Sequence, residues 1–274
     1  MDRDPERAEE LKNEGNAAFK AKNFIAAESL YSKAIIANSR IPSLYTNRAM
    51  ARLNMGFYDS AIADCKTSLR LNPVHLKGYF ILSQCQLSIG DGKEALQNAL
   101  KGHQLCAESN DKSLGLVTQQ VLRCKKELWD QEERRRLRET GELENELLGL
   151  MSQQLLADRN SCHSKSEREQ VTEEYGKKMA LLQSTFEKAR ASAEKKREVP
   201  DWAIDEISFA VMIDPVMTKS GKSYERASIM EHLSRYQNDP ITREPLTPKE
   251  LRPNLQLKEA CAEFLEKNGW AADW

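Results

Sequence analysis

Residues 199–270 read VPDWAIDEISFAVMIDPVMTKSGKSYERASIMEHLSRYQNDPITREPLTPKELRPNLQLKEACAEFLEKNGW, and the fold of the chain is decided there. A short apolar run, Ile207-Ser208-Phe209, leads to Met212 and a turn at Asp214-Pro215-Val216. Val216-Met217-Thr218 and Ser223-Tyr224-Glu225 flank Ser220-Gly221, where glycine can take the positive φ of a hairpin turn. Ile229, Leu233 and Tyr236 then fall on one face of a predicted helix, which Asp239-Pro240 breaks. A last helix begins after Pro253 with Asn254 as N-cap, and Gly269 is placed to end it at the C′ position. The expectation is a ββα unit with one closing helix.

A module of this size built on zinc needs two clusters of Cys and His at ligand spacing. The segment holds only Cys261 and His232 and no Cys-x-x-Cys, so the ligand count excludes zinc. Its loops must be braced by charged and hydroxyl groups, for which Ser220, Glu225, Arg226, Asp239, Thr242, Arg243 and Glu244 are the candidates. Hydrogen bonds to charged groups contribute roughly 1.5–3 kcal/mol each, enough for several to hold loops in a small domain.

The strings ISFxxMxDPV, SGxSYER, DPITREPL and PNLxLKEA, in that order and closed by NGW, resemble the U-box, the zinc-free relative of the RING fold. The form is that of the CHIP family of chaperone-interacting ubiquitin ligases. The resemblance implies that Ile207, Phe209 and Pro240 form an apolar surface receiving a ubiquitin-conjugating enzyme, and that Arg243 touches both that enzyme and ubiquitin. Without the surrounding strings, Ile207 and Phe209 would read as core packing.

Elsewhere the chain of 274 residues is nearly neutral, with a net charge of -1 and 30% charged residues, which argues against a nucleic-acid protein. Its start is no signal peptide, and no apolar run approaches the length of a membrane span. Cysteines at 65, 85, 106, 124, 162 and 261 are scattered and read as reduced packing thiols.

A step of 34 residues carries Ala27 to Ala61 and Ala95, Gly15 to Ala49 and Ser83, and Leu11 to Tyr45 and Tyr79. Small residues where paired helices cross and large ones where they pack are the pattern of tetratricopeptide repeats (TPRs). Three repeats are predicted from Glu6 to Glu108, as six antiparallel helices around a concave groove. Lys12 and Asn16 lie one turn apart on the first helix, and Asn47 and Lys77 fall at inner positions of repeats two and three. Two lysines and two asparagines are donors suited to paired carboxylates. They resemble the carboxylate clamp with which chaperone-binding repeats hold the acidic C-terminal tails of 70-kDa and 90-kDa heat-shock proteins. A general clamp has arginine four residues after the last lysine, where this chain has Ile81; the CHIP family is apolar there too, and Phe80 and Ile81 are expected to shape an apolar pocket. Asp111 lies near the position of an acidic loop residue in that family, and the sequence leaves its place in the clamp open.

From Lys112 to Glu198 charged residues dominate. Leu143, Leu147, Leu150, Met151 and Leu155 make one apolar seam, and Val171, Tyr175, Met179, Leu182 and Phe186 a second beyond a break at residues 158–164. The seams can close on each other as an antiparallel hairpin or on a second copy, and the resemblance implies a homodimer. Arg134-Arg135-Arg136, among glutamates at 132, 133 and 139, reads as a solvated helix face.

The whole is expected to be mainly α: a three-repeat TPR solenoid over 1–110, a coiled-coil-like helical hairpin over 111–198, and a small α+β U-box over 199–274. Cys261 has no basic partner, so no thioester-forming nucleophile is expected, and the resemblance implies a ligase that acts by proximity. A non-catalytic chaperone-binding adaptor is the alternative. Expected partners are heat-shock chaperones, a conjugating enzyme, ubiquitin, misfolded clients and a second copy. No cofactor, metal, nucleic acid or membrane is expected, and the expected setting is cytoplasmic with nuclear access.

Overall fold

The computed structural model describes residues 4–193 and 198–274; the first three residues, where the absence of a signal peptide was read, and residues 194–197 of the expected hairpin lie outside the described residues. Three helix pairs come first: α1 (Pro5–Lys20) with α2 (Phe24–Ala37), α3 (Pro42–Asn54) with α4 (Tyr58–Leu71), and α5 (Leu76–Ser88) with α6 (Gly92–Ser109). The 34-residue repeat predicted from alanine spacing is realised in the packing, since Ala27, Ala61 and Ala95 are all fully buried.

The repeat extends to the turns. Lys22, Gly56 and Gly90 share one turn position and all adopt positive φ, at 59, 79 and 84°. The next residue in each donates its backbone N–H five residues back, Asn23 to Ala18, Phe57 to Arg52 and Asp91 to Gln86. This is the left-handed helix ending that frees the chain to reverse, and glycine takes it without a Cβ penalty. Asn23 and Asp91 then cap α2 and α6 by accepting the N–H groups of Ala26 and Glu94.

Helix α7 (Leu114–Ser161) runs unbroken for 48 residues and α8 (Lys165–Ala193) follows. Between them Ser164 accepts the N–H of Glu167, whose carboxylate accepts the N–H groups of His163 and Ser164. That reciprocal box starts α8. Tyr175 donates to Asp158, and Arg190 to Glu144, so the two helices run antiparallel. The chain divides into two compact units, residues 130–200 and the remainder.

The C-terminal region holds the sheet β2-β1-β3, with β1 (Pro215–Met217) pairing antiparallel to both β2 (Ser223–Glu225) and β3 (Arg252–Pro253). Gly221 takes φ 81° in the β1–β2 turn, as its sequence position predicts. Helix α9 (Arg226–Arg235) buries Ile229 and Leu233 against Val216, Tyr224 and Leu246. Tyr236, expected on the same face, lies beyond the helix end and is exposed against the His232 ring. Helix α10 (Leu255–Lys267) starts as expected, with Asn254 accepting the N–H of Leu257. Its end differs from expectation. Asn268 is the C-cap, at φ -131°, and Gly269 has no positive φ. A Cβ on Gly269 would lie 2.4 Å from the Cβ of Trp129, so that glycine lets α7 approach rather than terminating α10. This region packs on α6 and the start of α7, where Ile213 joins Ala95, Ala99, Val121 and Cys124.

Because nothing lies within 4 Å of a Cβ built at Gly56, the cost of a side chain there is purely conformational. Gly56→Ala is expected to destabilise the repeats by about 1 kcal/mol and Lys22→Gly to stabilise them by a few tenths to about 1 kcal/mol. Thermal melts with opposite signs for the two variants would bear this out, and shifts of the same sign would refute the shared turn.

Candidate functional site

Two six-residue loops in the C-terminal region are built alike. In the first, Asp205 is fully buried and its Oδ2 accepts the N–H and the hydroxyl of Ser208, at 2.8 and 2.6 Å. The Phe209 N–H bonds the Asp205 carbonyl, and the Asp205 N–H bonds the Ala210 carbonyl. In the second, Asp239 is 2% exposed and its Oδ1 accepts the N–H groups of Ile241 and Thr242, at 2.9 and 3.1 Å. The Arg243 N–H bonds the Asp239 carbonyl, and the Asp239 N–H bonds the Glu244 carbonyl. Phe209 and Arg243 therefore hold the same place in their loops and the same left-handed backbone, with φ of 58 and 63°. Neither is glycine, so each conformation is held by the bonds around it.

Neighbouring residues of β2 fasten both loops. The Glu225 N–H donates to Asp205 Oδ1, and the Tyr224 hydroxyl donates to Asp239 Oδ1. Ser220 adds a bond to Asp239 Oδ2. Burial works against the Asp239 carboxylate, but the donors from Ile241, Thr242, Tyr224 and Ser220 outweigh it and hold its pKa below the usual carboxylate range. A third buried acid, Asp214, pairs with Arg226 at 2.6 Å and Lys258 at 2.7 Å, and these cations outweigh desolvation to lower its pKa. His232 bonds the Asn238 carbonyl through Nε2 and braces α9 against the second loop.

The loop ends differ in exposure. Phe209 is 71% exposed, a large value for an aromatic ring, and Ile241 beside Pro240 is also exposed. Arg243 is exposed, Pro240 is half-buried, and Ile207 is half-buried against the core. The fastening through β2 thus gathers the loops that carry all four of these residues.

The sequence-predicted groove residues sit on α1, α3 and α5. Lys77 Nζ donates to Asn47 Oδ1 at 2.8 Å, and Asn47 Nδ2 to Asn16 Oδ1 at 3.2 Å. Lys12, one turn before Asn16, pairs with Glu9. Lys77 and Phe80 line a cleft of about 470 Å³ together with His75, Asp111, Leu116 and Val117. Asp111, whose place the sequence left open, thereby lines the same cleft as Lys77. Ile81 is not in the groove. Its side chain is fully buried among Ala49, Ala61, Cys65, Leu82 and Cys85: one turn on from Lys77, it leans from α5 into the packing with α3 and α4.

Two functional supports were missed in the sequence, Asp205 and Tyr31, the latter donating its hydroxyl to Asn16. A signal for the first exists. Asp205-Glu206-Ile207-Ser208-Phe209 and Asp239-Pro240-Ile241-Thr242-Arg243 share the pattern Asp-x-Ile-Ser/Thr-x.

Residues 199–270 match the U-box domain family, which makes this a U-box protein. The chain is 31% identical over 268 residues to the E3 ubiquitin-protein ligase CHIP of Arabidopsis thaliana, covering 96% of this chain and 95% of the relative. It belongs to the CHIP family of E3 ubiquitin-protein ligases. The Hsp70/Hsp90 co-chaperone CNS1 of Saccharomyces cerevisiae is 33% identical over 144 residues, covering 51% of this chain and 37% of that relative. The second TPR domain of the human RPAP3 protein, solved in complex with the HSP70 peptide SGPTIEEVD, is 26% identical with a TM-score of 0.40. It covers 43% of this chain and 95% of its own.

Glu225 supplies a pH test of the U-box. Its Oε2 accepts the N–H groups of Ile213 and Asp214, whereas Oε1 is buried without a hydrogen-bond partner. Burial pushes its pKa up to about 7. Since the folded value is raised, the stabilisation is fully present below the unfolded value near 4.5 and is lost as pH rises through about 7. Glu225→Gln keeps an acceptor for both N–H groups and is expected to stabilise the fold at pH 8 relative to wild type by on the order of 1–3 kcal/mol, read as a higher melting temperature. At pH 5 that advantage should be small. Melting curves that stay parallel across this range would contradict the assignment.

Proposed function

We propose that this chain is a dimeric ligase that grips the acidic C-terminal tail of a 70-kDa or 90-kDa heat-shock chaperone and passes ubiquitin to the chaperone's misfolded client. The observation that carries the ligase half is the matched pair of loops projecting Phe209 and Arg243 at equivalent left-handed positions. An exposed aromatic on one loop, with half-buried Ile207 on the same loop and Pro240 on the other, offers the apolar surface for a ubiquitin-charged conjugating enzyme, and Arg243 adds donors for that enzyme and ubiquitin. Catalysis proceeds by proximity and by restraint of the thioester, without a covalent intermediate on this chain. Cys261 supports this reading, because it is fully buried and burial pushes its thiol up to about 11. A thiol so placed is protonated and out of reach of a thioester.

The tail-binding half rests on Lys12, Asn16, Asn47 and Lys77, whose ammonium and amide donors suit an acceptor-only carboxylate terminus. Phe80, with its neighbours in the adjoining cleft, receives an apolar residue upstream of that terminus. The hairpin keeps Leu143 and Leu150 about half exposed, which supports burial against a second copy. Five of the six cysteines are buried and none is disulfide-bonded, in keeping with a cytosolic setting with access to the nucleus.

The test is discharge of a ubiquitin-charged conjugating enzyme onto free lysine in a purified system with a zinc chelator present. Wild type is expected to accelerate discharge and Phe209→Ala to lose most of the acceleration, while its unfolding free energy stays within about 1 kcal/mol of wild type. Undiminished discharge by Phe209→Ala would remove that residue from the interface. No discharge by wild type with any of a panel of conjugating enzymes would leave a chaperone-binding adaptor instead.

A further inference from the structure

The groove donors do not stand independently. Lys77 begins a chain of hydrogen bonds that passes through Asn47 and Asn16 and ends on α2 at the hydroxyl of Tyr31, 2.9 Å from Asn16 Oδ1. Tyr31 is 2% exposed and lies behind α1. It fits there because residue 15 is glycine: a Cβ at that position would come within 2.6 Å of the ring's Cε1.

The polarity of this chain is forced from one end. An ammonium can only donate, so Asn47 must turn its carbonyl oxygen to Lys77 and its NH₂ to Asn16. That NH₂ requires an oxygen opposite it, so Asn16 must turn Oδ1 inward. Oδ1 then accepts a second bond from the Tyr31 hydroxyl, and the Asn16 NH₂ is left for the groove. Burial raises the pKa of the Tyr31 phenol, so the hydroxyl remains a donor throughout the physiological range.

We infer that Tyr31 is a positioning residue: its hydroxyl locks the Asn16 carboxamide with both N–H donors toward the groove, and thereby makes the groove selective for a ligand ending in a free carboxylate. The inference rests on the tail-binding reading above and adds the source of its selectivity. Without the hydroxyl, Asn16 Oδ1 keeps only the 3.2 Å contact from Asn47. Held by that one longer bond, the carboxamide rotates more readily to present oxygen to the groove, which repels a carboxylate but accepts from a terminal amide.

The test compares the full-length chain with its Tyr31→Phe variant, which keeps the ring and its packing against Gly15. Two probes are titrated by fluorescence anisotropy: the peptide SGPTIEEVD with a free C-terminus, and the same peptide with its terminus amidated. Wild type is expected to prefer the free acid by at least about tenfold. Tyr31→Phe is expected to bind the free acid about three- to tenfold more weakly, with little change for the amide, so the ratio of the two affinities falls. A merely structural tyrosine would weaken both probes by the same factor. That outcome, or an unchanged ratio, overturns the positioning role. Failure of wild type to bind either peptide would instead overturn the tail-binding reading, and the role of Tyr31 with it. Lys12→Ala marks the difference, since loss of a groove cation should weaken free-acid binding whatever Asn16 does.

Discussion

Two carboxylates closed off from water, Asp205 and Asp239, each draw the backbone of a short loop around themselves. A buried carboxylate is tolerable only when its lone pairs are filled, and the nearest donors are N–H and hydroxyl groups two to three residues ahead in the chain. Filling them bends each loop until the fourth residue after the aspartate enters left-handed space, which is how Phe209 and Arg243 come to stand out from the surface. A RING domain achieves such loops with metal; here each hydrogen bond to a charged acceptor contributes roughly 1.5–3 kcal/mol instead. The strand β2 then makes the two loops one site, because adjacent residues Tyr224 and Glu225 each donate to a different aspartate. The buried apolar cluster of Val216, Tyr224, Ile229 and Leu233 fixes that strand in turn.

The repeats work by a different constraint. A turn needing positive φ recurs at residues 22, 56 and 90, and it sets the two helices of each pair in the same relation. With the three pairs built alike, α1, α3 and α5 neighbour one another, and single residues of all three join one hydrogen-bonded chain from Lys77 to Tyr31. Repeats three and the U-box also share packing. Ala227 at the start of α9 lies against the cluster of Cys106, Leu114 and Val117, which includes Phe80 of the groove cleft. Both candidate surfaces, the groove and the paired loops, thus belong to one compact unit, while residues 130–200 form another.

Much of this was legible in the sequence because the signals were periodic or local. The alanines at 27, 61 and 95 disclosed the repeats, and Asn254 after Pro253 disclosed the cap of α10. The groove residues Lys12, Asn16, Asn47 and Lys77 could be picked out once the repeats set the inner face. Ile81 could not be placed by its neighbour Phe80, since one residue on a helix turns a side chain by about 100° and takes it from groove to core. Gly269 was misread for the opposite reason. Its role is set by Trp129, distant in sequence, and no local pattern announces such a contact. Asp205 was overlooked although its motif repeats that of Asp239, because the repeat spans only five residues and becomes visible through its hydrogen bonds.

The central claim is that buried aspartates, rather than metal, shape the surface that promotes ubiquitin transfer. It is tested most directly by measuring conjugating-enzyme affinity of the full chain in the presence of chelator, by isothermal titration, for wild type and for Asp205→Ala and Asp239→Ala. Each variant should lose at least about tenfold in affinity, through release of Phe209 or Arg243 from its left-handed position, while binding of an acidic tail peptide persists. Wild-type affinity in both variants would contradict the account, for the loops would then hold their shape without the carboxylates.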